Sequence, residues 1–334
     1  MTVKKIISVV LCALYFSSWS QDIHWSQYDH NPVFQNPGNV GQFNGDFRFH
    51  ANYRDQWRSV TVPFQTLNLS AEAKGLFDDN LNIGVLLFND IAGDGKFRTI
   101  EFLPSASYLI KLTADSTHLF RPGIQMGINF RSLNSGAFTF DNQWNGIFFD
   151  NNLATNETFQ TESKTNFTWG LGGTYEYSLA KRKRIITGIA LFNINRPNQG
   201  FFGDKIKRDM RFNWFARGEY KVGFDWDVLP SFQLNIQGTY SEFILGSQVR
   251  YILKDRLGEY RALMAGLFLR SRDAGYLVAG MEYQNWWAGV SYDLNYSNLY
   301  VVSRARGGIE FSVRYIFSTF NPKNVIYRIC PDYI

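Results

Sequence analysis

The chain has 334 residues, with 34 Lys and Arg against 29 Asp and Glu for a formal net charge of +5. That balance is too mild for a nucleic-acid partner, and with only Cys12 and Cys330 the chain has no disulfide framework. Aromatic residues make up 17% of the chain while mean hydropathy is −0.23; past the N-terminus no run of about 18 apolar residues occurs, which excludes transmembrane helices.

Residues 1–20 read as a secretory signal peptide. Lys4 and Lys5 form the basic region, Ile6 to Phe16 the apolar region, and Ser18 and Ser20 a small-x-small cleavage site. Removal of this segment would leave Cys330 as the single cysteine, either an unreactive thiol or a partner in an intermolecular bridge. Residues 21–44 carry Asn31-Pro32 and Asn36-Pro37-Gly38, which break regular structure and predict an irregular periplasmic arm or plug.

From residue 45 to 317 the chain alternates with period two, the signature of strands with one greasy and one polar face. Phe47, Phe49, Ala51 and Tyr53 alternate with Arg48, His50, Asn52 and Arg54; Leu67, Leu69, Ala71 and Ala73 alternate with Asn68, Ser70, Glu72 and Lys74. Further strands are predicted near 83–87, 101–111, 124–131, 168–177, 185–193, 213–221, 232–237, 243–251, 261–269, 276–283, 286–294 and 308–317. About fourteen strands behind an export signal predict an antiparallel transmembrane barrel of the outer membrane. The long connections, near 132–166, 195–209 and 295–307, all follow odd-numbered strands, whereas tight turns such as Asp78-Asp79-Asn80 and Gln284-Asn285 follow even-numbered ones. Long external loops and short periplasmic turns produce that parity. A soluble β-sandwich predicts no such asymmetry. Residues 318–334 are expected to form a periplasmic tail.

Catalytic chemistry has little support. No His among His24, His30, His50 and His118 stands in a nucleophile or metal spacing, so no enzyme activity, cofactor or metal is expected. The oxygen-rich segment Asp141 to Asn152 lacks the spacing of a calcium loop. Inward charges are numerous, and Arg48, Arg54, Glu72, Glu101, Arg131, Glu310 and Arg314 are candidate lining residues of the lumen. Their mixed signs fit cross-strand ion pairs better than an ion-selective pore. Phe138, Phe140, Trp144, Phe148 and Phe149 crowd one external loop, where they form either a protein-binding surface or a lid folded inward.

The segment Gln21-Asp22-Ile23-His24-Trp25-Ser26-Gln27-Tyr28, followed by Asn31-Pro32 and Asn36-Pro37-Gly38-Asn39-Val40-Gly41, resembles the opening of the PorP/SprF family of the type IX secretion and gliding apparatus of Bacteroidetes. Tyr53-Arg54-Asp55-Gln56-Trp57 is similar to that family's Y-R-x-Q-W step. Tyr292-Asp293 and Gly308 to Tyr315 are similar to its closing pattern. Gly38 and Val40 stand where the pattern usually has Ala, and Ile309 stands where it has His. The positions carrying the resemblance include Gln27, Tyr28, Asn31, Pro32, Asn36, Pro37, Arg54, Gln56 and Trp57.

The resemblance implies a non-enzymatic outer-membrane barrel that helps export or anchor a large cell-surface protein; in the SprF-like branch the client is an adhesin for gliding. Implied partners are a secreted protein with a type IX C-terminal domain and periplasmic or outer-membrane components of the secretion machinery. The alternative reading is an outer-membrane transporter or pore for small or hydrophobic solutes.

Overall fold

The computed structural model describes residues 22–56, 58, 62–150, 152–155, 161–201, 205–256, 259–296 and 306–319. Residues 1–21, where a signal peptide is expected, Trp57 and residues 320–334, Cys330 among them, lie outside the described residues.

Alternation of apolar and polar side chains produces one sheet of fifteen hydrogen-bonded segments: β1 (Phe47–Gln56), β2 (Phe64–Lys74), β3 (Leu81–Ala92), β4 (Phe97–Tyr108), β5 (Ile110–Lys111), β6 (His118–Ser132), β7 (Ser163–Ala180), β8 (Lys183–Phe192), β9 (Arg211–Lys221), β10 (Trp226–Gln237), β11 (Tyr240–Arg256), β12 (Glu259–Arg270), β13 (Ala274–Tyr283), β14 (Trp286–Asn295) and β15 (Arg306–Phe317). The short β5 continues β4 past Leu109, so the wall has fourteen staves. All the pairings are antiparallel, and β15 returns to pair with β1, with Tyr53 opposite Phe311 and Arg54 opposite Glu310. Closure matters physically. In hydrocarbon a free strand edge would leave N–H and C=O groups unpaired at several kcal/mol each, and a closed barrel has no edge.

The outer face carries Leu245, Leu263, Leu267, Leu277, Val290 and Phe311, all exposed on the isolated chain and suited to lipid. Aromatic pairs belt this face at both ends. Trp226 against Tyr251 and Trp286 against Tyr315, with ring centroids 4.5 and 4.4 Å apart, sit toward the short turns, and Trp214 against Phe232, 4.9 Å apart, toward the long loops. Such girdles mark the two membrane–water interfaces. The hairpin after β10 turns through Gly238 at φ +56°, a conformation that favours glycine. The strand ends that flank the long connections 133–162, 193–210 and 296–305 share one rim, which this asymmetry makes the external one.

The inner face is not purely polar. Leu86, Phe88, Ile186, Phe215, Ile244, Phe268, Tyr276 and Trp287 point inward and are buried. The cause is residues 22–44, which run inside the barrel and bring apolar side chains of their own. Trp25 and Tyr28 pack with Phe88, Ile244, Phe268, Tyr276 and Val278, and Val33 and Val40 pack with Leu86 and Leu103.

Leu267→Arg, which puts a charge on the lipid face of β12, is expected to lower stability by up to about 2–4 kcal/mol. Asp79→Arg in the β2–β3 turn is expected to change it little. Denaturant titration of the protein folded into vesicles measures both.

Candidate functional site

The lumen is organised around the arm. Its polar, proline-punctuated sequence cannot form a strand, and instead makes three short helical turns, Tyr28–His30, Pro32–Gln35 and Pro37–Asn39. Each proline opens its turn, where a missing N–H costs nothing. The arm begins at the external rim, where the backbone N–H of Asp22 donates to Oε1 of Gln237 at 2.7 Å. It ends at the periplasmic rim, where Asp46 N–H donates to the Phe317 carbonyl at 3.0 Å.

The densest contact lies in the external half. Glu310 on β15 accepts backbone N–H bonds from Ser26 at 2.8 Å and Gln27 at 3.0 Å. Arg54, on the neighbouring β1, donates to Glu310 at 3.0 Å and to Asp293 on β14 at 2.7 Å. Arg270 on β12 donates to the same Asp293 at 3.0 Å. The Ser26 hydroxyl donates to Asp293 at 2.6 Å and accepts from Arg270 at 2.8 Å and from Arg54. Arg54, Arg270 and Glu310 are all fully buried. Four wall strands and the arm therefore share one desolvated ion cluster. Buried charges are tolerable only when paired, as these are; Nε of Arg270 makes no hydrogen bond and lies 3.6 Å from Glu242.

A second clamp holds the periplasmic half. Arg48 and Glu72 form a two-pronged pair, both bonds 2.7 Å, and Arg48 also donates to the carbonyls of Asn39 and Gln42. Glu72 accepts from the Gly41 N–H at 3.1 Å. Between the clamps, Tyr28 shares a hydrogen bond with Ser231, Gln35 with Gln233, and Asn36 donates to the Ile189 carbonyl. Asn31 bonds Asn68, and His30 stacks on Trp287 at 3.5 Å. Gly38 lies so close to the wall that an added Cβ would sit 2.6 Å from the Arg121 carbonyl oxygen. The resembled pattern has Ala at this position, so this chain's arm packs closer there than a methyl group allows.

The remaining lumen candidates fall elsewhere. Glu101 pairs with Arg208 at 2.6 Å, and Arg314 with Glu282 at 2.8 Å. Arg131 has no ion-pair partner among the described residues; it lies over the Phe97 ring and bonds Gln199. Gln56 sits beside Arg54, and its amide oxygen accepts from the guanidinium once the amide is turned over. Arg270 and Arg208 escaped the sequence reading. Arg270 ends an inward run that also holds Met264 and Phe268, so its face did not look polar, and Arg208 belongs to a connection with no periodicity. The aromatic loop residues gather at an external tip. Trp144 bridges Phe149, Ile147 is 83% exposed, Phe148 58% and Trp144 55%, while Phe138 packs on Phe140. His50 is buried in the periplasmic half, facing Arg314 and Ser70 across its neighbouring strands.

Electrostatics fix the arm's first residues. Burial raises the Asp22 carboxyl, but Arg208 and Arg211 outweigh it and hold Asp22 below its ordinary 3.8. His24 follows on the arm, its ring 3.6 Å from Glu242 and 3.8 Å from Asp273.

A closed wall with girdled lipid face and filled polar lumen defines an outer-membrane β-barrel. The chain belongs to the family described as type IX secretion system membrane protein PorP/SprF, which it matches over residues 17–315. No curated protein matches it in sequence. Among solved structures it is similar to the CymD monoaromatic hydrocarbon channel, at 10% identity and TM-score 0.49 over 87% of this chain and 94% of that one. It is also similar to the Pseudomonas putida toluene transporter TodX, at 10% identity and TM-score 0.47 over 89% and 94%, and to the KdgM porin, at 8% identity and TM-score 0.38 over 80% and 99%.

Two outcomes test the site. Arg54→Met leaves Glu310 and Asp293 short of a partner and is expected to cost about 3–5 kcal/mol, read as a lower denaturation midpoint and faster protease cleavage within 22–44. The Asp22 anchor has a pH sign. Its folded pKa lies below 3.8, so its stabilisation is present above 3.8 and is lost as pH falls through the lower folded value. Thermal melts from pH 6 down to about 2 should therefore show an acid limb that is shallower in Asp22→Asn.

Proposed function

We propose that this protein is a closed, non-enzymatic docking barrel that helps the type IX system export or hold a large adhesin-like surface protein. The observation that carries the reading is the arm, clamped by the Arg54–Glu310–Asp293–Arg270 and Arg48–Glu72 clusters across the lumen. A barrel of fourteen staves has room for a polar channel, and here that room is taken by the protein's own chain. A secreted polypeptide would accordingly bind at a rim instead of passing through.

The client fits the external rim, where Trp144, Ile147 and Phe148 present exposed apolar surface beyond what a solvated loop needs. The family's secretion machinery would meet the periplasmic rim, where the arm enters β1 and Thr319 donates to Asp46 at 2.6 Å.

Deleting the gene is expected to remove one or a few proteins bearing a type IX C-terminal domain from the cell surface, as read by surface proteomics. A chromosomal Trp144→Ser, Phe148→Ser pair is expected to reduce the same proteins at unchanged barrel level. An unchanged surface proteome together with lost uptake of a small hydrophobic solute would overturn the reading in favour of a transporter.

A further inference from the structure

Among the described residues, the external half of the lumen keeps a cavity of about 270 Å³ open toward the long loops. Its floor is the arm, through Ile23, His24 and Phe34, so it is blind. Its wall is β1 to β4 and β6. The register places Asp90 of β3 opposite Thr99 of β4, and Thr99 opposite Arg131 of β6. Asp90 and Arg131 thus stand at one level, two strand spacings or about 10 Å apart at Cα, with only a threonine hydroxyl between them.

These two charges are left over. The other acids of the cavity, Glu101 and Asp22, are both taken by Arg208, at 2.6 and 2.7 Å. Asp90 is 9% exposed and has no ion-pair partner among the described residues; one of its oxygens accepts from Thr66 at 2.8 Å. Nε of Arg131 is buried without a hydrogen-bond partner. Desolvated and unpaired, each charge carries a penalty that an opposite charge would relieve. Phe34, Phe88 and Phe97 give the same cavity apolar surface.

We propose that this cavity binds a free amino acid with a large apolar side chain. Its carboxylate would pair with Arg131, its ammonium with Asp90, and its side chain would lie against the phenylalanines. A simple anion or cation satisfies only one of the two charges, and an apolar solute neither. The volume sits just below the usual 300–1,000 Å³ of small-molecule sites, which suits a single residue. The site is independent of the secretion role, since it needs only the plugged lumen.

Calorimetric titration of the purified full-length barrel with L-phenylalanine, N-acetyl-L-phenylalanine and L-phenylalanine amide tests it. Saturable binding of L-phenylalanine is expected, with each blocked form at least about tenfold weaker, as losing one charged hydrogen bond implies. Arg131→Gln should weaken L-phenylalanine about tenfold and leave the amide unchanged, and Asp90→Asn should do the same for the N-acetyl form. Heat-modifiable gel migration checks that each variant is folded; if either is not, the three ligands on the wild-type protein decide alone. No saturable binding of L-phenylalanine, or equal binding of all three, overturns the proposal.

Discussion

The Glu310 carboxylate is the contact on which the rest of the structure hangs. It receives two backbone N–H groups from the arm and a guanidinium from Arg54, while Arg54 and Arg270 converge on Asp293 and on the Ser26 hydroxyl. β1 and β15, the strands whose pairing closes the barrel, are thereby tied to each other and to the segment that fills it. The cluster is fully desolvated. Its charges are stable because each has an opposite charge and more than one polar partner, and losing any single member would strand the others in a low-dielectric interior. Closure of the wall and seating of the plug are therefore one event energetically.

Much of this was legible in the chain. Period-two alternation marked all the staves of the wall, and the odd-strand placement of the long connections set the orientation. The motif residues of the arm, from Gln27 and Tyr28 to Asn36 and Pro37, resist strand formation, and the structure places them against the wall. Alternation also put Arg54 and Glu310 on one face of the closing strands, although not their direct pairing. What could not be read was the arm's effect on the wall opposite. Phe268, Tyr276 and Trp287 face the lumen because Tyr28 and His30 lie there, and a pattern rule that equates greasy with lipid-facing assigns such residues wrongly. Arg208 stands in an irregular connection and is drawn inward by Asp22 and Glu101, contacts that no local pattern encodes. The β6 and β11 strands also run past their expected ends, since girdle and rim residues continue the hydrogen-bond ladder beyond the apolar band.

On the proposed reading, a plugged barrel divides the work of a secretion-family protein between its two rims. The wall supplies a rigid frame in the bilayer, the arm removes the pore, and the two rims offer distinct surfaces. The external one is aromatic, with Trp144, Ile147 and Phe148 standing clear of the wall; the periplasmic one is where the arm joins β1 beside the end of β15. Nothing in this arrangement requires the lumen to conduct. The space left at the external mouth is blind and lined by charges that face each other.

Whether the protein's own chain seals the lumen is decided by planar-bilayer recording of the purified full-length protein. The wild-type barrel is expected to show no steady conductance, and to show discrete openings once the arm's seat is broken by Arg54→Met together with Arg48→Met. Steady porin-like conductance from the wild-type protein, unchanged by those substitutions, would contradict a sealed lumen.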